Sequence, residues 1–188
     1  YLIFKDDRKN LPYGDKTPEQ ILEFMAPIMN SFEEDGVDAV VIACNTASTN
    51  VLKQLKQMSD VPVVGFVPMI KPASTMTKTG KIVVCATPGT LKSKRYAELK
   101  EEYTRDIEVL EPDCSDWASL IESNNLNKDK VDDVIELARS EYADVVVLGC
   151  THYHWIFELL DELSGPDIAV IQPTNAVIAE LKRQLKVD

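Results

Sequence analysis

Apolar positions recur at helical spacing between Pro18 and Asp35, where Ile21, Leu22, Met25, Ile28, Met29 and Phe32 form one stripe. Thr17 ahead of Pro18 gives a cap followed by a first-turn proline, and Gly36 closes the helix. Pro27 predicts a kink or an early end, because it removes a donor and crowds the preceding turn. A β run from Asp38 to Ala43, a helix from about Thr46 to Met58 with Val51, Leu52, Leu55 and Met58 inward, and a strand from Val61 to Val67 follow. Pro68 and Pro72 flank a short connection, which places a domain boundary near residues 68–73.

The second half repeats the alternation. Lys81 to Ala86 reads as a strand, Thr87-Pro88-Gly89-Thr90 as a turn feeding a helix to about Tyr103, and Ile107 to Leu110 as a weak strand. Ser115 to Ser123 reads as a short serine-capped helix ended by Asn124-Asn125, and Lys128 to Tyr142 as a helix with Val131, Val134, Ile135 and Ala138 on one face. A strand from Asp144 to Leu148, a helix from near Tyr153 to Leu163, a strand from Ile168 to Ile171 and a helix from Thr174 complete the sequence. Strands alternating with helices predict an α/β fold with mostly parallel sheets.

Within that pattern one phrase occurs twice: Asp38-Ala39-Val40-Val41-Ile42-Ala43-Cys44-Asn45-Thr46 and Asp144-Val145-Val146-Val147-Leu148-Gly149-Cys150-Thr151-His152. Each copy opens a strand with aspartate and closes it with cysteine at the C-terminal end, the edge where ligands of open α/β sheets bind. One such cysteine would be read as a small buried apolar residue. Two in matching registers predict two similar domains whose thiols approach one bound molecule from opposite sides. That is the geometry of a two-base racemase, in which one thiolate takes the Cα proton and one thiol delivers a proton to the other face.

A thiol at a helix start feels oriented N–H dipoles, which predicts a pKa below the free value of ~8.5. Asn45, Thr46 and Thr151, with the backbone N–H groups beside them, are suited to holding a carboxylate and the charge that develops next to it. His152, two residues past the second cysteine, is placed to tune that thiol. Neither a phosphate loop followed by lysine nor a site for an imine-forming lysine is visible, so the chemistry is read as cofactor-free, without a metal.

Bulk properties narrow this picture only a little. The 188 residues include 20 Lys and Arg against 31 Asp and Glu, a formal net charge of -11, which argues against a nucleic-acid surface. The one locally basic run, Lys92-Ser93-Lys94-Arg95, reads as a solvated helix face. Apolar runs fall short of the ~18 residues of a membrane span, and the sequence reads as cytoplasmic with no membrane partner. Cys44, Cys85, Cys114 and Cys150 lack the close pairing of a zinc site. Cys85 and Cys114 read as structural, and Trp117 and Trp155 as packing residues.

The segments Ala43-Cys44-Asn45-Thr46-Ala47-Ser48 and Leu148-Gly149-Cys150-Thr151-His152-Tyr153 resemble the cofactor-independent aspartate/glutamate racemase family, and most closely its glutamate-converting branch. Pro12-Tyr13-Gly14, Pro62-Val63-Val64-Gly65, Ala86 to Ser93 and Leu120 to Asn124 extend the likeness over most of the chain. The resemblance implies Cys44 and Cys150 as the acid/base thiols, with Glu122 and His152 assisting. It implies Pro12, Tyr13, Gly14, Asn45, Thr46 and Thr151, and less firmly Thr87 and Thr90, as substrate-binding. It further implies production of D-glutamate for peptidoglycan, a homodimer, and residues 1–70 plus 170–188 as one domain around a cleft with 71–169. The family's aspartate-serine-glycine segment is not in this sequence, which opens at Tyr1, so Cys44 is expected to be the weaker half. His154 stands where the family usually has proline, and Gly65-Phe66-Val67-Pro68 lacks a glutamate common there. An aspartate-acting relative, a non-catalytic dicarboxylate-binding descendant and thiol redox chemistry remain the alternatives.

Overall fold

Thr17 starts the first helix as its sequence predicts: its Oγ1 accepts from Gln20 N at 3.3 Å, while its own N–H donates to the Gln20 side chain at 3.0 Å. In the computed structural model, which describes residues 1–187, this helix (α1, Pro18–Glu34) buries Ile21, Met25 and Met29. Pro27 does not shorten it. The proline is exposed, so the Glu23 carbonyl that loses its donor lies on an outward face. Gly36 at φ +64° ends α1, with Gly36 N donating to Glu33 O and Val37 N to Phe32 O, the paired bonds of a left-handed helix stop.

Strand β1 (Val40–Ile42), helix α2 (Asn45–Gln57) and strand β2 (Val63–Gly65) follow, and β1 pairs with β2 in parallel. Both strands are shorter than their apolar runs. α1 and α2 cover one side of this pair with Ile21, Met25, Met29, Val51 and Leu55. The closing helix α9 (Thr174–Leu185) covers the other side of β2, where Val64 and Phe66 meet Val177 and Leu181.

The second lobe is built on four parallel strands in the order β4-β3-β5-β6: β3 (Lys81–Ala86), β4 (Glu108–Leu110), β5 (Val145–Gly149) and β6 (Ala169–Ile171). Buried on both faces, β3 and β5 are continuous apolar runs rather than alternating ones. One face, with Val83, Cys85, Val146 and Leu148, packs on α6 (Trp117–Glu122), α7 (Lys128–Ser140) and α8 (Phe157–Ser164). The other, with Ile82, Val84, Val145 and Val147, packs on α3 (Ile70–Met76) and α5 (Lys94–Tyr103). Between β3 and α5 lies the single turn α4 (Pro88–Leu91), separated from α5 by its cap Ser93.

Several expectations are corrected here. Residues 70–76 form a helix rather than a bare connection, because Pro72 falls in the first turn, where its missing N–H has no intrahelical partner to lose. α6 starts at Trp117 after Asp116 and has no side-chain cap, whereas a serine cap at Ser115 was expected. α7 stops at Ser140, where Tyr142 takes a positive φ of 60°. Ile70 packs with the four-stranded sheet, and Val170 and Ile171 lie on β6 within it. No helix among the described residues is long and apolar enough to cross a membrane.

The repeated aspartates do different work. Asp38 is exposed, whereas Asp144 accepts from Thr77 Oγ1 at 2.5 Å, Lys78 N at 2.7 Å, and Thr79 Oγ1 and N at 3.1 and 3.3 Å. Burial would raise the Asp144 carboxyl, and these bonds outweigh it and bring it below its ordinary range. Asp144 thereby anchors the turn that enters β3.

Candidate active site

The repeat is realised in the backbone. Cys44 caps α2 at φ -148°, ψ 117°, and Cys150 caps the 3-10 stretch Thr151–Ile156 at φ -144°, ψ 136°. Both thiols thus leave a parallel strand at its C-terminal end in the same extended conformation. Ahead of Cys150 the strand must carry glycine, since a Cβ on Gly149 would come within 2.8 Å of Ala86 Cβ and 3.2 Å of Cys85 O. Where a helix from near Tyr153 is expected, the chain first makes the 3-10 stretch, and α8 begins only at Phe157.

The thiols depart from expectation in sign. The Cys44 sulfur accepts from Ala47 N at 3.5 Å, and backbone N–H groups at Ala47 and Thr46 pull its pKa down, yet burial pushes it up by more. Burial pushes Cys150 up to about 12, against the N–H groups of His152 and Tyr153, and a charge on Cys44 adds to the rise. The helix-start dipoles act in the direction read from sequence, but removal from water is the larger effect.

The surroundings of the two thiols are unequal. His152 Nδ1 lies 3.8 Å from the Cys150 sulfur, and its Nε2 meets Glu122 Oε1 at 2.8 Å, so α6 supplies a carboxylate that orients the imidazole. Glu122, Thr151, His152 and Trp155 line one recess, and Trp155, expected to pack, is 78% exposed at its rim. Two residues past Cys44 the corresponding position is Thr46, which shares hydrogen bonds with Thr87 at 2.9 Å and Thr90 at 3.4 Å, while Thr87 donates to Thr90 at 3.1 Å. These three buried hydroxyls join α2 of the first lobe to α4 of the second.

Asn45 is 1% exposed, and both polar atoms of its amide lack a hydrogen-bond partner. An unpaired buried amide costs about 1–3 kcal/mol, so its donor and acceptor suit a polar ligand. Gly14 lies against the start of α4, where a Cβ on it would meet Thr87 Cβ at 3.3 Å, while the Tyr13 side chain packs in the first-lobe core beside Phe24. The Tyr13 hydroxyl donates to Asp7 at 2.7 Å, and Asn10 donates to both Asp7 oxygens at 2.9 Å. Asp7 and Asn10 were not singled out from sequence, because only the fold turns that segment back on Tyr13. Cys85 and Cys114 are both buried in the second-lobe core.

A raised thiol pKa has a consequence for stability. The free thiol titrates near 8.5, so the contribution of a protonated, buried Cys150 is fully present below that pH and is lost as pH rises towards about 12. Denaturant midpoints should therefore fall from about pH 8.5 upward, by at most ~1.4 kcal/mol per pH unit for each such thiol. Cys150→Ser should flatten the fall, and an equal slope in both proteins would refute the assignment.

Two α/β lobes that present a cysteine each at the C-terminal edges of parallel strands define a two-lobed α/β enzyme. The chain belongs to the Asp/Glu/Hydantoin racemase family, whose sequence profile matches residues 3–181. It is 34% identical to glutamate racemase of Methylococcus capsulatus, covering 100% of this chain and 70% of that protein. To glutamate racemase of Clostridium perfringens strain SM101 it is 32% identical, covering 98% and 73%. The structure matches that of Escherichia coli glutamate racemase in complex with L-glutamate and the activator UDP-MurNAc-Ala, with a TM-score of 0.84 and 29% identity over 96% of this chain and 70% of that one. An aspartate racemase from Picrophilus torridus, at 21% identity and a TM-score of 0.61, shares the fold.

Proposed function

We propose that the protein interconverts L- and D-glutamate by two-base proton transfer at Cα, Cys44 and Cys150 being the two bases, and so supplies D-glutamate for peptidoglycan. The observation that carries this reading is the pair of matched cysteine caps, one in each lobe, at the C-terminal ends of parallel strands. One sulfur, as thiolate, takes the Cα proton and becomes a thiol. The other thiol gives its proton to the opposite face and becomes the thiolate, so the reverse reaction starts from the product state. Burial costs the thiolate population but makes it a stronger base once formed, which suits a weakly acidic C–H. The substrate ammonium, entering the same cleft, favours the thiolate.

Asn45, Thr46 and Thr151 are assigned to the substrate carboxylates with the N–H groups beside them, and Pro12 to Gly14, Thr87 and Thr90 to the wall around them. His152, oriented by Glu122, tunes Cys150. The relatives in this reading act on glutamate, and one methylene separates aspartate by only about 1–3 kcal/mol. The cytoplasmic location, the homodimer and the two-domain division belong to the same reading. The test is incubation with L- and D-glutamate, and with both aspartates, in heavy water, following optical rotation and Cα deuteration. Deuteration and loss of rotation from either glutamate enantiomer, faster than from aspartate, is expected. Absence of Cα exchange with glutamate would sink the proposal.

A further inference from the structure

On this reading of the function, we propose that Asn50 is a positioning residue for proton transfer: it latches α2 to α4 and thereby keeps Cys44 in place opposite Cys150. Asn50 lies on α2, six residues beyond the Cys44 cap. Its amide donates to Thr46 O at 2.8 Å, within its own helix, and to Gly89 O at 3.1 Å, in the other lobe. Both N–H groups are thus committed, one on each side of the junction.

The elements joined in this way carry the two thiols. α2 begins at Cys44. α4 follows β3 directly after Ala86 and Thr87, and Ala86 pairs in register with Gly149, the residue before Cys150. Holding α4 against α2 therefore fixes the end of the sheet from which Cys150 projects. The junction has no slack: a Cβ on Gly89 would lie 2.7 Å from Gly14 O and 3.0 Å from Thr46 Cγ2. The threonine hydroxyls hold the same seam from its buried side, but each can rotate its proton to another acceptor. The planar Asn50 amide fixes a direction, since its two shorter bonds end on backbone carbonyls, with the Thr49 hydroxyl farther off at 3.5 Å.

Two carbonyls facing one side chain predict an ordered response. Asn50→Ala removes the latch, whereas Asn50→Asp keeps the shape and turns two attractions into repulsions. A displacement near 1 Å at a reacting centre costs on the order of a hundredfold in rate. We expect kcat for racemisation to fall about tenfold in the alanine variant and about a hundredfold in the aspartate variant, with KM within about threefold. Thermal midpoints should stay within a few degrees of the parent, and the α4 amides of Leu91 and Lys92 should exchange faster with deuterated solvent. A residue acting only through helix stability would instead lower the midpoint and leave kcat per folded molecule unchanged. That pattern, or a kcat within twofold of the parent in both variants, overturns the proposal. If the parent does not racemise glutamate, the functional reading fails separately. Unchanged α4 amide exchange in Asn50→Asp then rejects the latch, and faster exchange upholds it.

Discussion

Replacing either Cys44 or Cys150 with serine is expected to lower racemisation by roughly 10²–10⁴-fold while leaving one half of the proton traffic intact. The two cysteines end matched strands with nearly equal backbone angles, and in the proposed mechanism each serves one face of the substrate carbon. A serine hydroxyl is too weak an acid to be the thiolate's substitute, but it occupies similar space and leaves the lobes packed. In each variant the surviving thiol can still remove and return the Cα proton on its own side. Deuterium should therefore enter one enantiomer only, and the other enantiomer only in the companion variant. The measurement is mass-resolved Cα exchange of pure L- and pure D-glutamate with each protein. Exchange of the same enantiomer in both variants would contradict the two-face arrangement. Cys85→Ala is the control: this thiol is wholly buried in the core, so its loss should reduce stability and spare the handedness of exchange.

Trp117→Ala should destabilise the second lobe by about 3–5 kcal/mol, the usual cost of emptying a large buried aromatic site. Trp117 is 1% exposed and meets Tyr153 edge-on with ring centroids 5.3 Å apart. Tyr153 in turn donates its hydroxyl to Cys114 O at 2.7 Å and its backbone N–H to Cys150 O at 3.1 Å. The indole thus supports the loop that carries Cys150 and His152 from beneath. Guanidinium unfolding gives the stability change, and a loss below 1 kcal/mol would show that the site collapses without cost. Tyr153→Phe separates the two contributions. It keeps the ring contact, leaves Cys114 O without its donor, and should cost about 1–2 kcal/mol.

Local chemistry was most legible where one short segment decides the outcome. The Thr17 cap, the Gly36 stop and the order of the six strands need only neighbours in sequence, and the structure agrees with them. α3 escaped notice because prolines at 68 and 72 look like punctuation until the helix start is known to fall at Ile70. The sequence reads Trp155 as a packing residue, whereas it lies on the 3-10 stretch and is exposed. The repeat itself misleads over its aspartates, since only Asp144 has a turn folded over it.

The sequence by itself determined that two cysteines close two parallel strands in the same register, because strand periodicity and cap chemistry are local properties. Tertiary structure alone decided how they are equipped. Glu122 reaches His152 across thirty positions, Thr46 joins Thr87 and Thr90, and Asn50 reaches Gly89 because folding brings separate helices to one sheet edge. It also decided the sign of the thiol shifts. A helix start lowers a thiol pKa through its nearest N–H groups, whereas burial is a property of everything packed around the sulfur, and here the burial is the larger effect.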